Sequence, residues 1–182
     1  MYNTTAPHFP KLIHEDGSYT TTIVLPPFAG MQVRNGPYGF ISSQEPSDGE
    51  LHATSEDSID PEGFRAVVQW IIDNALEIRA LLFPALVEQY WDLRDIVIEY
   101  LDSDEDPDVV APAIESPDEL SALCGIVAIH INGRTANGEP HFGIELGCNW
   151  ENEHGAGVRF IGLRVAESGH ADEAFLFPPN ES

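Results

Sequence analysis

The chain has 182 residues, of which 42% are hydrophobic, and its 31 acidic residues outnumber 8 basic ones to give a formal net charge of -23. This length and composition are typical of one globular domain, and no apolar run of about 18 residues is present to span a membrane. Nucleic acid and anionic membranes carry dense negative charge, so we expect neither as a partner and expect cations and basic proteins instead. Residues 1–10 contain no secretory signal, which predicts a cytoplasmic protein.

The first part of the chain, residues 1–58, is predicted to be mostly β after an irregular start over 1–18. Tyr19 to Leu25 is rich in β-branched residues and predicts a strand that ends before a pair of prolines. Asn35-Gly36 is a turn pair that accepts positive φ, so it predicts a hairpin between the segments that flank it. The further strands predicted in this part are 31–34, 38–42 and 51–54.

The middle of the chain, residues 60–101, changes to a helical period. Asp60 is suited to cap a helix that begins at Pro61, because proline lacks the amide that would have no partner there. Apolar residues then recur every three or four positions as far as Phe83. Pro84 is predicted to break or kink this helix, and the same spacing predicts a second helix that ends near residue 101.

Acidic residues dominate the start of the segment 102–115. Like charges at this density repel one another, which predicts a solvated loop. The alternating aspartates suggest a calcium loop, but neither frame supplies both the glycine and the glutamate that an EF-hand requires, so tight calcium binding is not expected. The candidate contacts for a basic partner are Asp102, Asp104, Glu105, Asp106 and Asp108.

The last part of the chain, residues 116–182, is predicted to be a short helix followed by antiparallel strands. Ser116 and Glu119 form a capping box for a helix through about Cys124. The predicted strands are 126–131, 142–150, 158–163 and 164–167, with an edge piece at 174–177. The whole chain is thus predicted to be one α+β domain with an N-terminal β segment, a central pair of helices and a C-terminal antiparallel β-sheet.

Two cysteines, Cys124 and Cys148, lie in apolar surroundings in the sequence. We interpret them as buried, reduced thiols that pack as small hydrophobic side chains. A redox pair and a pair of metal ligands are the alternatives.

The densest polar cluster lies in residues 150–157, between two predicted strands. One interpretation is a tight turn, in which glycines supply unusual φ angles and Trp150 packs. The other is a divalent-metal or acid–base site, since carboxylate and imidazole both bind zinc or iron. No spacing matches a defined metal motif, so no metal and no catalytic residue is assigned. The candidate side chains are Glu151, Glu153, His154 and Asp172. His170 lies in the same predicted loop as Asp172, and His130 and His141 lie on the preceding predicted hairpin, so these histidines and carboxylates could meet.

The stretch 143–158, with the sequence GIELGCNWENEHGAGV, resembles the W-[DE]-x-E-H-G-x-G-[IV] signature of an uncharacterised bacterial protein family, a domain of unknown function. The segments 25–30, 114–123 and 169–172 are similar to other parts of that family. The resemblance implies no assigned activity. Small acidic proteins of this general kind often occur as antidotes beside bacterial toxins, which is an association and not a mechanism.

Three functions are compatible with these patterns. The first is an acidic protein-interaction module, specifically an immunity-type inhibitor of a basic bacterial toxin, with contacts in 45–62 and 102–119. The second is a metal-binding or hydrolytic domain centred on 150–157, with a divalent metal as its cofactor. The third is an accessory domain whose charge reflects only its cytoplasm. The first is preferred, and with it a protein that is not an enzyme and needs no cofactor.

Overall fold

The computed structural model describes residues 11–34, 41–55, 59–101, 104 and 106–178. Its strands are β1 Ile13–Glu15, β2 Ser18–Val24, β3 Val33–Arg34, β4 Ile41–Ser43, β5 Glu50–Ser55, β6 Cys124–Arg134, β7 Pro140–Cys148, β8 Glu151–Ile161 and β9 Val165–Gly169. Its α-helices are α1 Pro61–Asp73, α2 Ala75–Glu99 and α3 Pro107–Val110, and its 3₁₀ turns are Pro26–Phe28, Pro117–Ala122 and Ala171–Ala174. The predicted α+β class is confirmed.

Seven of the strands form one mixed sheet in the order β1-β2-β5-β6-β7-β8-β9. Neighbours pair antiparallel except β5 and β6, which are parallel with Ala53 opposite Ile129. A parallel pair needs a crossover connection, and α1 and α2 lie in the chain between these two strands. The N-terminal β segment and the C-terminal sheet are therefore one continuous sheet.

A separate hairpin of β3 and β4 packs beside the start of β6. Arg34 pairs with Ile41 across this hairpin, and Gln32 N donates to Cys124 O at 2.9 Å. The predicted Asn35-Gly36 turn lies outside the described residues. A side chain on Gly125 would place its Cβ 2.0 Å from Gln32 O, so the hairpin approaches β6 closely because this position is glycine.

The first helix begins where its cap was predicted. Asp60 Oδ1 accepts hydrogen bonds from the backbone amides of Glu62 and Gly63, both at 2.9 Å, and Pro61 occupies the first helical position. One apolar face of α1 is fully buried against the sheet and consists of Phe64, Val67, Val68 and Ile71. The expected period of the helix is thus confirmed.

The boundary between the two helices lies at Asn74, and the predicted break at Pro84 is wrong. Asn74 has φ -115° and ψ 18°, and its Nδ2 donates to Trp70 O at 2.7 Å. An amide side chain that bonds the preceding turn competes with the helical backbone, so α1 ends there. Pro84 lies inside α2 on its exposed side, as does Ala80 one turn earlier. Water can solvate the carbonyl that the proline leaves unpaired.

The hydrophobic core lies between the helices and one face of the sheet. Phe142 of β7 stacks on Phe160 of β8 with 5.1 Å between ring centroids, and Trp70 of α1 lies 6.1 Å from Phe142. Tyr90 of α2 is fully buried and meets the Trp150 ring edge-on at 5.3 Å. No helix in the described ranges combines the length and the apolar character that crossing a bilayer requires.

The chain segment 170–176 covers the opposite face of β7 and β8. A Cβ on Gly143 would lie 1.9 Å from Ala174 O, and a Cβ on Gly157 would lie 2.4 Å from His170 O. The buried Arg159 of β8 donates a hydrogen bond of 3.1 Å to Leu176 O, which ties this segment to the sheet. The edge strand predicted at 174–177 is therefore wrong, because this segment packs on the sheet face and not beside its last strand.

The predicted capping box at Ser116 begins a 3₁₀ turn, Pro117–Ala122, in place of the expected helix through Cys124. Glu119 Oε1 accepts from Ser116 Oγ at 3.2 Å, and Glu119 Oε2 accepts from Glu115 N at 3.0 Å. In a capping box the glutamate accepts from the backbone amide of the capping residue, which here is Ser116. Glu119 instead accepts from the amide of Glu115, one residue earlier in the chain.

Candidate functional site

A groove of about 490 Å³ opens on the sheet face opposite α1 and α2. Strands β7 and β8 supply its floor and one wall, and the segment 170–176 supplies the other wall. We call it the imidazole–carboxylate groove, and its lining residues are Glu145, Glu153, His154, His170, Ala171, Asp172 and Phe175.

Strand β8 forms the near wall, where a turn was predicted. The chain turns only at 149–150, and residues 151–157 belong to β8, so the tight turn over 150–157 is wrong. Gly155 has φ +65°, and a Cβ there would lie 2.5 Å from Leu146 O. The strand pairing shifts register near Cys148, so the glycine allows an irregular strand and not a reversal. Trp150 is buried, as the turn interpretation expected.

Glu151 lies behind the groove and orients His154. Its Oε1 accepts from the backbone amides of Glu153 at 3.3 Å and His154 at 3.2 Å. The same oxygen lies 3.2 Å from His154 Nδ1. The His154 ring then stacks on the His170 ring, with 5.0 Å between centroids and 12° between planes. One carboxylate thus sets both the local backbone and the direction of an imidazole.

A second carboxylate–imidazole pair lies at the base of the groove. Glu145 Oε2 of β7 lies 2.7 Å from His130 Nε2 of β6, and both side chains are largely buried. The His130 ring lies 5.2 Å from the Phe175 ring, which ties this pair to the far wall. Glu145 was not among the residues predicted for this site. The signal for it is a single acidic residue in the largely apolar sequence of β7.

Three of the predicted site residues, Glu153, His154 and Asp172, line this groove together. Glu151 supports it from behind. His141, on the same hairpin, is buried elsewhere, with Asn132 Nδ2 3.1 Å from its Nδ1 and Phe177 against its ring. Within the described part of the chain, no three His, Cys, Asp or Glu side chains are grouped as metal ligands would be.

The acidic segment after α2 lies at the surface. Asp104, Asp106 and Asp108 are all exposed, whereas Asp102 and Glu105 lie outside the described residues. Asp106 Oδ1 accepts from Asp108 N at 3.0 Å and so caps the short helix α3. The loop predicted over 102–115 therefore contains one helical turn.

Two of the eight basic residues are buried, whereas Lys11, Arg65, Arg134 and Arg164 are exposed. None of the acidic residues in the described ranges is buried. Arg34 and Arg159 are buried, the first with Asn149 Oδ1 and the second with Glu173 Oε2. Half-buried Arg79 bonds to Asp118 at 2.8 Å and lies over the Phe83 ring. The surface is therefore more acidic than the composition alone implies.

The two cysteines are free and buried, as predicted. They face each other across the β6–β7 pair, and Cys124 Sγ donates to Leu120 O at 3.2 Å. Burial raises the pKa of both thiols, that of Cys148 to about 12, which keeps them protonated at neutral pH. Their environment is that of packing residues and not of nucleophiles.

These features define an acidic α+β protein with a mixed seven-stranded sheet, helices on one face and a polar groove on the other. The family model described as Domain of unknown function (DUF6985) matches residues 28–176, so the chain belongs to this family. The match spans α1, α2 and the whole groove. Searches of curated proteins and of solved structures gave no match.

Proposed function

We propose that this protein is an interaction module that binds a basic protein through its acidic surface. The observation that supports it is the distribution of charge: every described acidic side chain reaches solvent, and the arginines Arg34 and Arg159 are buried. Such a surface steers cationic partners and repels anionic ones. It also gives the net charge of -23 a use beyond solubility.

Within this proposal the partner is a basic bacterial toxin, and the protein is its immunity-type inhibitor. A nuclease is the simplest example, because its substrate groove must be basic to bind phosphates. Exposed carboxylates on this protein are attracted to the basic groove of the nuclease as phosphates are, so they compete with the nucleic acid for it. Inhibition then requires only that this protein occupies the substrate groove of the toxin, and it needs no catalytic chemistry of its own.

We expect the association rate with such a partner to fall steeply with salt. Electrostatic steering raises association rates by about 10- to 1,000-fold at low ionic strength, and salt screens it. The partner is captured from a native lysate at low salt, eluted with rising salt and identified by mass spectrometry. Its purified form is then mixed with this protein in a stopped-flow instrument at several salt concentrations. An association rate that does not change with salt contradicts the proposal.

A metal-binding or hydrolytic domain is the second candidate. One observation favours it: Glu153 and His154 line one groove with His170 and Asp172. No three of these side chains are grouped as metal ligands in this structure, so a metal ion would have to draw them together. Imidazole and carboxylate are suitable ligands for zinc. In this case the purified protein should contain stoichiometric metal, which elemental analysis measures directly.

We expect His154→Ala to leave the fold intact, because His154 is exposed and a surface substitution changes stability by about 0.5 kcal/mol or less. Under the metal hypothesis it abolishes zinc binding, measured by calorimetric titration. His52→Ala, at an exposed histidine of β5, is the matched control and should change neither property. Equal zinc binding by both variants rules out the groove as a metal site, and unfolding of the His154 variant assigns it a structural role.

A further inference from the structure

The outward side of the second half of α2 carries a line of acidic side chains. Glu88, Asp92, Asp95 and Glu99 are all exposed and follow one another at intervals of four, three and four residues. This spacing places them on one side of a helix, over a length of about 16 Å at 1.5 Å per residue.

Large apolar side chains lie on both sides of this line. Trp91 is 42% exposed, Ile96 is 51% exposed and Tyr100, directly after the helix, is 81% exposed. The Trp91 ring is held edge-on against the buried Tyr90 ring at 5.6 Å. Partly fixed aromatic side chains at a surface are the residues that most often dominate binding energy in protein interfaces. We call this surface the acidic helix face.

The charge on this face is unfavourable for the isolated protein. Acidic residues four apart repel one another, and negative charge near a helix C-terminus opposes the helix dipole. The last turn of α2 contains no basic residue, and Asp104, Asp106 and Asp108 follow in the chain. Arg94 is the one basic side chain of the second half of α2: its Nε donates to Ala111 O at 3.0 Å, its Nη1 lies 3.8 Å from Asp95 Oδ1, and its guanidinium carbon lies 5.4 Å from the centre of the Trp91 ring. It therefore compensates one carboxylate of the line and leaves the charges of Glu88, Asp92 and Glu99 in excess. A cationic partner would relieve this repulsion, and local conflicts of this kind are expected at functional sites.

We infer that the acidic helix face is the docking surface for an amphipathic, cationic segment of the partner. The lysines or arginines of that segment pair with Asp92, Asp95 and their neighbours, and its apolar side chains cover Trp91 and Ile96. A second copy of the chain is excluded as the occupant, because it would bring the same carboxylates face to face. This inference rests on the proposed function and identifies the surface through which that function acts.

The test uses a synthetic helical peptide of about 18 residues built from lysine and leucine, and a peptide with glutamine in place of lysine. Binding is measured at low salt by calorimetry, and backbone amide shifts locate it. We expect the lysine peptide to bind, the glutamine peptide not to bind, and shifts to concentrate in 88–100. Shifts spread evenly over the surface, or confined to the imidazole–carboxylate groove, would overturn the inference.

Two pairs of substitutions distinguish binding at the acidic helix face from attraction to the net charge of the whole protein. Asp92→Asn with Asp95→Asn should raise the dissociation constant of the lysine peptide about tenfold or more. Glu15→Gln with Glu50→Gln removes the same charge from exposed positions on β1 and β5, and should raise it about twofold or less. Equal weakening by both pairs overturns the docking surface and leaves the proposed function standing. Absence of peptide binding to the unmodified protein overturns the docking surface, whereas the proposed function is tested separately by the salt dependence of association with the captured partner.

Discussion

Replacing Gly143 by alanine is expected to lower the free energy of unfolding by about 1–3 kcal/mol and to displace the segment 170–176 from the sheet. The new Cβ would lie 1.9 Å from Ala174 O and 2.6 Å from Ala174 Cα. These are backbone atoms, so a rotamer change cannot relieve the clash. The segment must move away, and it takes Asp172 and Phe175, one wall of the groove, with it.

Urea unfolding followed by tryptophan fluorescence measures the stability loss, and hydrogen exchange of residues 170–176 measures the displacement. Gly169→Ala is the matched control, because its Cβ would meet only the side chain of Glu173, at 3.0 Å, and that side chain can rotate. We expect the control to exchange like the unmodified protein. Unchanged exchange in the Gly143 variant would show that the segment does not lie on β7 as described.

Phe142→Ala is expected to destabilise the protein more than Gly143→Ala, lowering the free energy of unfolding by about 3–5 kcal/mol. Phe142 is fully buried, stacks on Phe160 at 5.1 Å and lies 6.1 Å from Trp70. Its ring therefore joins the sheet to α1, and removing it leaves a cavity that two rigid rings cannot fill. A loss of this size is a large part of the total stability of an ordinary domain.

The same substitution at Phe175 is the control for this prediction. Phe175 is 40% exposed at the edge of the groove, so its truncation should cost about 1 kcal/mol or less. Both variants are unfolded in urea under identical conditions, with circular dichroism as the signal. Similar losses for the two phenylalanines would contradict the core assigned to β7, β8 and α1.

Local signals in the sequence predicted the ends and faces of several elements correctly. Asp60 and Pro61 predicted the start of α1 because a cap depends on residues within one turn of each other. The β-branched run after Ser18 predicted β2 for the same local reason. The hairpin of β1 and β2 was missed, although Asp16-Gly17 is a strong hairpin pair and both residues have positive φ.

Two errors came from signals whose meaning depends on the surroundings. Pro84 is tolerated in α2 because it faces solvent, whereas Asn74 ends α1 through a bond to Trp70 that no propensity reveals. Gly155 and Gly157 suggested a turn. They are glycines within β8 because Leu146 O and His170 O occupy the space that a Cβ would fill, a requirement set by distant segments of the chain.

The candidate site could be predicted only in part. Glu153, His154 and Asp172 stood out as polar residues near a glycine-rich stretch, and they do line one groove. His170 was also predicted as a neighbour of this cluster and stacks on His154, whereas Glu145 joins the groove through the pairing between β7 and β8. Neither contact follows from spacing along the sequence, since both join residues whose proximity depends on tertiary packing.

The amino-acid sequence by itself determined the strong negative charge, the α+β class, the helical period of the middle and the burial of both cysteines. These properties depend on composition and on residues a few positions apart. Only the tertiary structure decided that β5 and β6 pair in parallel to make one sheet, and that segment 170–176 covers its second face. It also decided which side of α2 is buried and which faces solvent. These outcomes depend on contacts between distant residues, for which local periodicity carries no information.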